Sequence, residues 1–381
     1  MYMPLACNLE DAAFIKQHVN IPVFCAGRME DPDTSSEAIR SGRIDAVTIG
    51  RQLLADGEYC AKVQAGEIED IRPCIACHNG CFAISKGPDG TTGTNPGGNG
   101  HCALNPATLE EKKKALTPAA VKKRVAVIGG GIGGMEAARV AALRGHSVTL
   151  YEKSGELGGV FIAAAAPSFK EKDKMLIAWY IRQLEKLKVD IRLDSEITPE
   201  NLSSLDADEI IIATGAKYRS LRADGADREN VMNAVEYLRG YKETGENVVI
   251  VGGGLTGCEI AYDAVLKGKK PVIVELMDDI LNVPNLCAAN SNMLREILRH
   301  YRIPVYTQTK TTAITDAGVE IEGPEGKKTL PADSVVTSIG YIPGSGLAEK
   351  DGRNIHIIGD AAKVGNLMNA IWQADDVARA I

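Results

Sequence analysis

The stretch Arg124-Val125-Ala126-Val127-Ile128-Gly129-Gly130-Gly131-Ile132-Gly133-Gly134 decides the architecture of this chain. A short apolar run leads into Gly129-x-Gly131-x-x-Gly134, and Met135–Arg144 then has helical spacing. Ser147–Tyr151 reads as a second strand that closes on Glu152. In such a βαβ unit each glycine has its own task. Gly129 permits the tight turn, Gly131 lets backbone approach a pyrophosphate, and Gly134 lets the helix pack closely on the strand. The N–H groups and partial positive charge at the helix start favour the phosphates. Glu152 closes the next strand, where an acid can take ribose hydroxyls. A glycine turn without a ligand is the bland alternative; the βαβ setting and the spaced acid outweigh it.

The same order returns later in the chain: strand Asn247–Val251, Gly252-x-Gly254-x-x-Gly257, helix Cys258–Lys267, strand Pro271–Val274 and Glu275. The interval is too long for a solenoid repeat, so the chain holds two nucleotide-binding domains of similar design. Glu275 is followed by Leu276-Met277, with no nearby arginine to accept a 2′-phosphate, and a carboxylate repels one, so NADH is favoured over NADPH.

The 381 residues carry 43 Lys+Arg against 50 Asp+Glu, a net charge of -7, with 45% apolar and 24% charged residues. That composition supports two or three domains with proper cores. An acidic balance gives no electrostatic pull toward nucleic acid or anionic lipid. No apolar run approaches the roughly 20 residues of a bilayer span. Met1–Cys7 lacks the basic and apolar regions of an export signal, so a soluble, cytoplasmic protein is expected.

Residues 1–70 alternate helix and strand: helix Asn8–Val19, strand Ile21–Cys25, helix Asp33–Arg40 opened by Asp31-Pro32, strand Ile44–Ile49 and helix Cys60–Ala65. A βαβ unit makes the strands parallel. They end in Gly27-Arg28 and Gly50-Arg51, bringing two guanidinium groups to the sheet edge where ligands bind. Two strands cannot close a core alone. Further on, the charged stretch Leu109–Lys123 reads as a helical linker with a solvated face.

Nine cysteines are unevenly spread. Four form Cys74-x-x-Cys77-x-x-x-Cys81 and, beyond the loop-like Gly87–Gly100, Cys102. An odd count in a long unexported chain argues against a disulfide framework. Three thiolates at this spacing can hold three irons of one cubane, with a later cysteine on the fourth. Zinc is the rival, although its sites more often pair two CxxC-like knuckles. Cys7, Cys25, Cys60, Cys258 and Cys287 read as packing thiols. His78 and His101 read as solvated, with tuning of the cluster as the alternative.

The succession of Gly129-x-Gly131-x-x-Gly134, Glu152, Leu157-Gly158-Gly159, Ala213-Thr214-Gly215, the second glycine motif and Gly359-Asp360 resembles flavoproteins with two dinucleotide-binding domains. The resemblance implies FAD on the first motif with Gly159, Gly215 and Gly359, Asp360 on the ribityl chain, and NAD(P)H on the inserted second domain. Arg72-Pro73-Cys74-Ile75-Ala76-Cys77-His78-Asn79-Gly80-Cys81, with Cys102-Ala103-Leu104-Asn105-Pro106, resembles the iron–sulfur segment of the 2-enoate reductase and 2,4-dienoyl-CoA reductase family. Cys25–Pro32 and Ile49–Asp56 resemble the last two strands of that family's FMN barrel, whose Gly-Arg pairs hold the FMN phosphate. The gap from Cys81 to Cys102 is longer than usual there.

The implied fold is α/β. A C-terminal TIM-barrel remnant spans 1–70, an iron–sulfur segment and linker 71–121, a Rossmann-like FAD domain 122–217 and 331–381, and a Rossmann-like NAD(P)H domain 218–330. The implied activity moves electrons from NADH through FAD to a [4Fe-4S] cluster on Cys74, Cys77, Cys81 and Cys102, then to FMN. There an activated C=C bond of an enoate or enoyl-CoA is reduced. The absent barrel strands would hold the proton donor, substrate pocket and most FMN contacts. FMN is therefore expected only with a complete barrel, and no catalytic side chain is assigned. Two alternatives stand: an NADH dehydrogenase or diaphorase serving a partner chain that supplies the barrel, and a non-catalytic remnant. A homo-oligomer is compatible with either.

Overall fold

The computed structural model describes residues 1–82, 84–86, 92–94, 101–283, 286–344, 346–347 and 354–381. Most of the glycine-rich stretch expected as a loop over Gly87–Gly100 lies outside the described residues.

Two five-stranded parallel sheets dominate the fold. The first runs in the order Asn354–Ile357, Glu209–Ile212, Arg124–Ile128, Ser147–Tyr151, Asp190–Arg192. Its inner strands are buried on both faces, which is why Ile210, Ile211 and Ile212 form an unbroken apolar run. Helices Ile132–Leu143, Glu171–Lys186 and Leu367–Ala380 cover this sheet. Met135, Leu150, Leu176, Leu184 and Ile371, all fully buried, form the shared core. Each such side chain contributes roughly 1.5–3 kcal/mol by leaving water.

The second sheet runs Val231–Asn233, Ser334–Thr337, Asn247–Val251, Lys270–Val274, Val305–Tyr306. A three-stranded antiparallel sheet of Lys310–Thr315, Gly318–Gly323 and Gly326–Leu330 packs on it through Ile314, Val319 and Ile321. The chain leaves the first domain along Ala216–Tyr218 and returns along Tyr341–Pro343, and these crossings pair antiparallel. Ser334–Thr337 therefore belongs to the second domain, and the boundary expected at 331 moves to this crossing.

The α/β class with one Rossmann-like domain inserted in another is thus established. Residues 1–70 form a small βαβ layer in which Phe24–Cys25 pairs parallel with Ala46–Val47 around helix Pro32–Arg40. Both strands are shorter than expected. Leu9, Cys25, Met29, Ala38 and Ile44 make a modest core of their own. The linker helix expected over Leu109–Lys123 is absent: the chain there runs in turns, and Leu109 takes φ 62. Nor is its charge run wholly solvated, because the largely covered Lys114 pairs with Asp375 and Asp376.

Candidate cofactor sites

The two glycine turns are built alike. Gly129 and Gly252 take φ 107 and 111, a left-handed region that glycine alone enters freely. A Cβ on Gly134 would lie 1.9 Å from the Gly129 carbonyl oxygen, and one on Gly257 1.9 Å from that of Gly252. Each third glycine therefore exists for close helix–strand approach. The second glycines differ: a Cβ on Gly131 would meet nothing within 4 Å, and one on Gly254 only Val283 at 3.8 Å. That open space is what a pyrophosphate needs.

Gly131 and Gly254 are also the N-caps of helices Ile132–Leu143 and Leu255–Leu266, with no side chain occupying the first N–H groups. Those donors remain available to an anion.

The two acids brace these turns. Glu152, buried, accepts from Gly130 N at 2.7 Å through one oxygen and from Ser154 N and Oγ at 2.9 and 2.7 Å through the other. Glu275 accepts from Gly253 N at 2.5 Å and Met277 N at 2.7 Å. Around the first turn, Gly158 bridges to Gly131, and a Cβ on Gly159 would press within 3.1 Å of the Gly131 Cα. Gly215, at φ 74, opens onto free space at the crossing. Gly359 N donates to Gln373 Oε1 at 2.8 Å, while the half-buried Asp360 accepts from Gly365 N at 2.9 Å. Burial lifts the Asp360 carboxyl above its ordinary range.

The four cysteines are brought together across their sequence gap. A Cβ on Gly80 would lie within 2.9 Å of both the Cys102 carbonyl carbon and Ala103 N, so the two segments touch through backbone. Burial raises the thiol pKa at Cys74, Cys77 and Cys102 and takes Cys81 to about 11, and at Cys77, Cys81 and Cys102 the neighbouring thiols add to the rise. Backbone N–H groups oppose it: those of Ala76, Asn79 and Leu104 favour the thiolates of Cys74, Cys77 and Cys102. Leu104 N lies 3.4 Å from Cys102 Sγ. Positive φ at Ala76 and His78 turns the peptides in this loop.

Among the described residues no three Cys, His, Asp or Glu side chains converge to single-ion range.

Several supports were not foreseen. Gln52, buried, accepts from Cys74 N at 2.8 Å and donates to the Arg72 carbonyl at 2.7 Å. Its position directly after Gly50-Arg51, inside Ile49–Asp56, was the available signal. Trp372 Nε1 donates to the Cys102 carbonyl at 3.0 Å, and Asn290 contacts Cys77 and His78. Their sequence surroundings carry no mark of it. His78 and His101 are part-buried rather than solvated. Burial, and then the neighbouring Arg51, take His78 down to about 4. Of the expected packing thiols, Cys25, Cys258 and Cys287 are buried, Cys7 is half-buried, and Cys60 is exposed.

The Gly-Arg pairs separate. Arg28 is buried and engages the Met3 carbonyl and Glu171, whereas Arg51 Nη1 lies 2.6 Å from His78 Nε2. Gly27 takes φ 113, with Asn8 Nδ2 2.6 Å from where its Cβ would be, and Gly50 borders open space.

Two nested dinucleotide folds with braced glycine turns define a flavin- and pyridine-nucleotide-dependent oxidoreductase. The chain belongs to the pyridine nucleotide-disulphide oxidoreductase family, whose model matches residues 94–201 and 123–380. Its likeness to enoate and dienoyl-CoA reductases holds as well. It is 40% identical to the cinnamate reductase of Clostridium sporogenes over all of this chain and 56% of that protein. The NADH oxidase of Thermoanaerobacter brockii is 36% identical over 96% of this chain and 56% of its own length. A 2-naphthoyl-CoA reductase structure superposes with a TM-score of 0.90 at 30% identity, covering 99% of this chain and 57% of that one. The chain thus spans about half the length of the curated relatives it matches. No helix among the described residues is long and apolar enough to cross a membrane.

Proposed function

We propose that the chain is the electron-input half of an enoate-type reductase, using NADH, FAD and a [4Fe-4S] cluster on Cys74, Cys77, Cys81 and Cys102. The observation that carries this reading is the cysteine loop itself: Cys102 is buried, Cys74, Cys77 and Cys81 are partly covered, and neighbouring backbone N–H groups favour the thiolates of Cys74, Cys77 and Cys102. When bound, these groups would take a hydride from NADH, split its electrons at the flavin and pass them singly through the cluster to FMN.

The chain's own residues bind and orient. Gly129, Gly131 and Gly134 form the FAD pyrophosphate turn, Glu152 takes its ribose, and Gly159, Gly215, Gly359 and Asp360 line the flavin side. Gly252, Gly254 and Gly257 do the same for NADH, with Glu275 on the ribose and against a 2′-phosphate. Gly27, Arg28, Gly50 and Arg51 mark the FMN edge. Strands Phe24–Cys25 and Ala46–Val47 pair only with each other among the described residues, and Ile21 and Phe24 are two-thirds exposed. That layer is unfinished, so FMN and an enoate or enoyl-CoA substrate need the remaining barrel strands. Those strands could come from the same chain or from a partner.

The test is anaerobic addition of NADH to the reconstituted chain. Bleaching of the flavin followed by a cluster signal in electron paramagnetic resonance supports the reading, and flavin bleaching with no such signal contradicts it. The family relative named an NADH oxidase favours a second reading, a diaphorase. Reduction of artificial acceptors, with no enoate reduction after the barrel strands are supplied, would select it.

A further inference from the structure

Each nucleotide-binding domain reaches the cysteine loop with a side-chain nitrogen donor. From the first domain, Trp372 on helix Leu367–Ala380 donates to the Cys102 carbonyl at 3.0 Å. Its neighbour Gln373 accepts from Gly359 N at 2.8 Å, so adjacent residues hold the flavin motif and a cysteine peptide. From the second domain, Asn290 on helix Ala288–His300 donates to the carbonyls of Cys77 at 3.0 Å and Ala76 at 3.4 Å.

The orientation of Asn290 is forced. Arg51 Nη1 lies 2.6 Å from His78 Nε2, and a guanidinium can only donate. Nε2 therefore accepts, leaving the ring proton on Nδ1 to donate to Asn290 Oδ1 at 3.0 Å. The amide nitrogen of Asn290 is left for the two carbonyls. Asn290 is 7% exposed, so deleting its amide leaves those carbonyls short of a donor in a covered place.

We propose that Trp372 and Asn290 are positioning residues that clamp the cysteine loop between the two nucleotide domains and set the reduction potential of the cluster bound there. The proposal rests on the cluster reading above. Each N–H anchors a peptide next to a thiolate ligand and so keeps the N–H groups of Asn79 and Leu104 aimed at the Cys77 and Cys102 sulfurs. A reduced cluster carries one more negative charge and gains more from such donors, so losing one makes the potential more negative.

The experiment is a redox titration of the anaerobically reconstituted chain, monitored by electron paramagnetic resonance, with hydrogen exchange read over residues 76–82 and 101–104. Trp372→Phe keeps the ring and drops the N–H; Asn290→Ala removes both partners. Each should retain iron and FAD and shift the midpoint negative, and the double variant should shift further than either. Exchange over 76–82 should quicken by about tenfold in Asn290→Ala, as expected for one lost buried hydrogen bond. Trp372→His, whose ring can still donate, should recover part of the shift. Unchanged potentials and exchange in both single variants would overturn the clamp alone. A wild-type chain that takes up no iron would overturn the cluster reading and the clamp with it.

Discussion

Gly80 lies directly against Cys102: a Cβ at position 80 would sit 2.9 Å from the Cys102 carbonyl carbon and 2.8 Å from the His101 carbonyl oxygen. The contact joins the last cysteine to the first three, so Gly80→Ala must push the two backbones apart. Overpacking of this kind costs about 1–3 kcal/mol. Iron content is expected to fall below that of the wild type while FAD stays bound. Metal and flavin assays on one sample check it, and full iron content would show that the contact is dispensable.

The second nucleotide turn separates packing from binding. Gly257→Ala brings a Cβ to 1.9 Å from the Gly252 oxygen and should lower the melting temperature as well as NADH affinity. Gly254→Ala meets only Val283 at 3.8 Å, so it should fold normally and lose NADH affinity by tenfold or more, at least about 1.4 kcal/mol. Thermal melts beside fluorescence titrations distinguish the two; equal melting losses would refute the division of labour.

Glu275 holds its own loop through Gly253 N and Met277 N, and the proposed function assigns it to the NADH ribose as well. Glu275→Ala should weaken NADH binding more than NADPH binding, because a repulsive carboxylate is lost along with a ribose acceptor. An unchanged preference ratio would move the ribose contact to another residue.

Asp173 is buried, its Oδ1 has no hydrogen-bond partner among the described residues, and burial takes its carboxyl up to about 7, with Glu259 and Glu171 adding to the rise and Lys170 and the chain's amino terminus opposing it. The folded state thus holds this proton more tightly than the unfolded chain does. Stability from it is complete below the ordinary carboxylate pKa of about 3.9 and is lost as pH rises through about 7. The melting temperature should fall between pH 5 and pH 8, and Asp173→Asn should flatten that fall. A variant that keeps the wild-type slope would place the titrating group elsewhere.

Both glycine turns and their acids were legible because their function is local: strand, turn, helix and acid follow one another along the chain. The cysteine set was legible by spacing, although nothing in the sequence shows that Gly80 closes the gap to Cys102. Elements governed by distant partners were not. Leu109–Lys123 has helical composition, but Lys114 is drawn to Asp375 and Asp376, and tertiary pairing overrides propensity there. Ser334–Thr337 reads as a strand, yet only three-dimensional pairing with Val231–Asn233 and Asn247–Val251 assigns it to the second sheet. Gln52, Trp372 and Asn290 act on backbone far away in sequence, a role that leaves no local pattern.

What the four thiols hold is read by chemical analysis after anaerobic reconstitution. About four irons and four acid-labile sulfides per chain are expected, with both lost and FAD retained in Cys77→Ser. Stoichiometric zinc, or a chain that binds FAD but neither iron nor sulfide, would contradict the cluster reading.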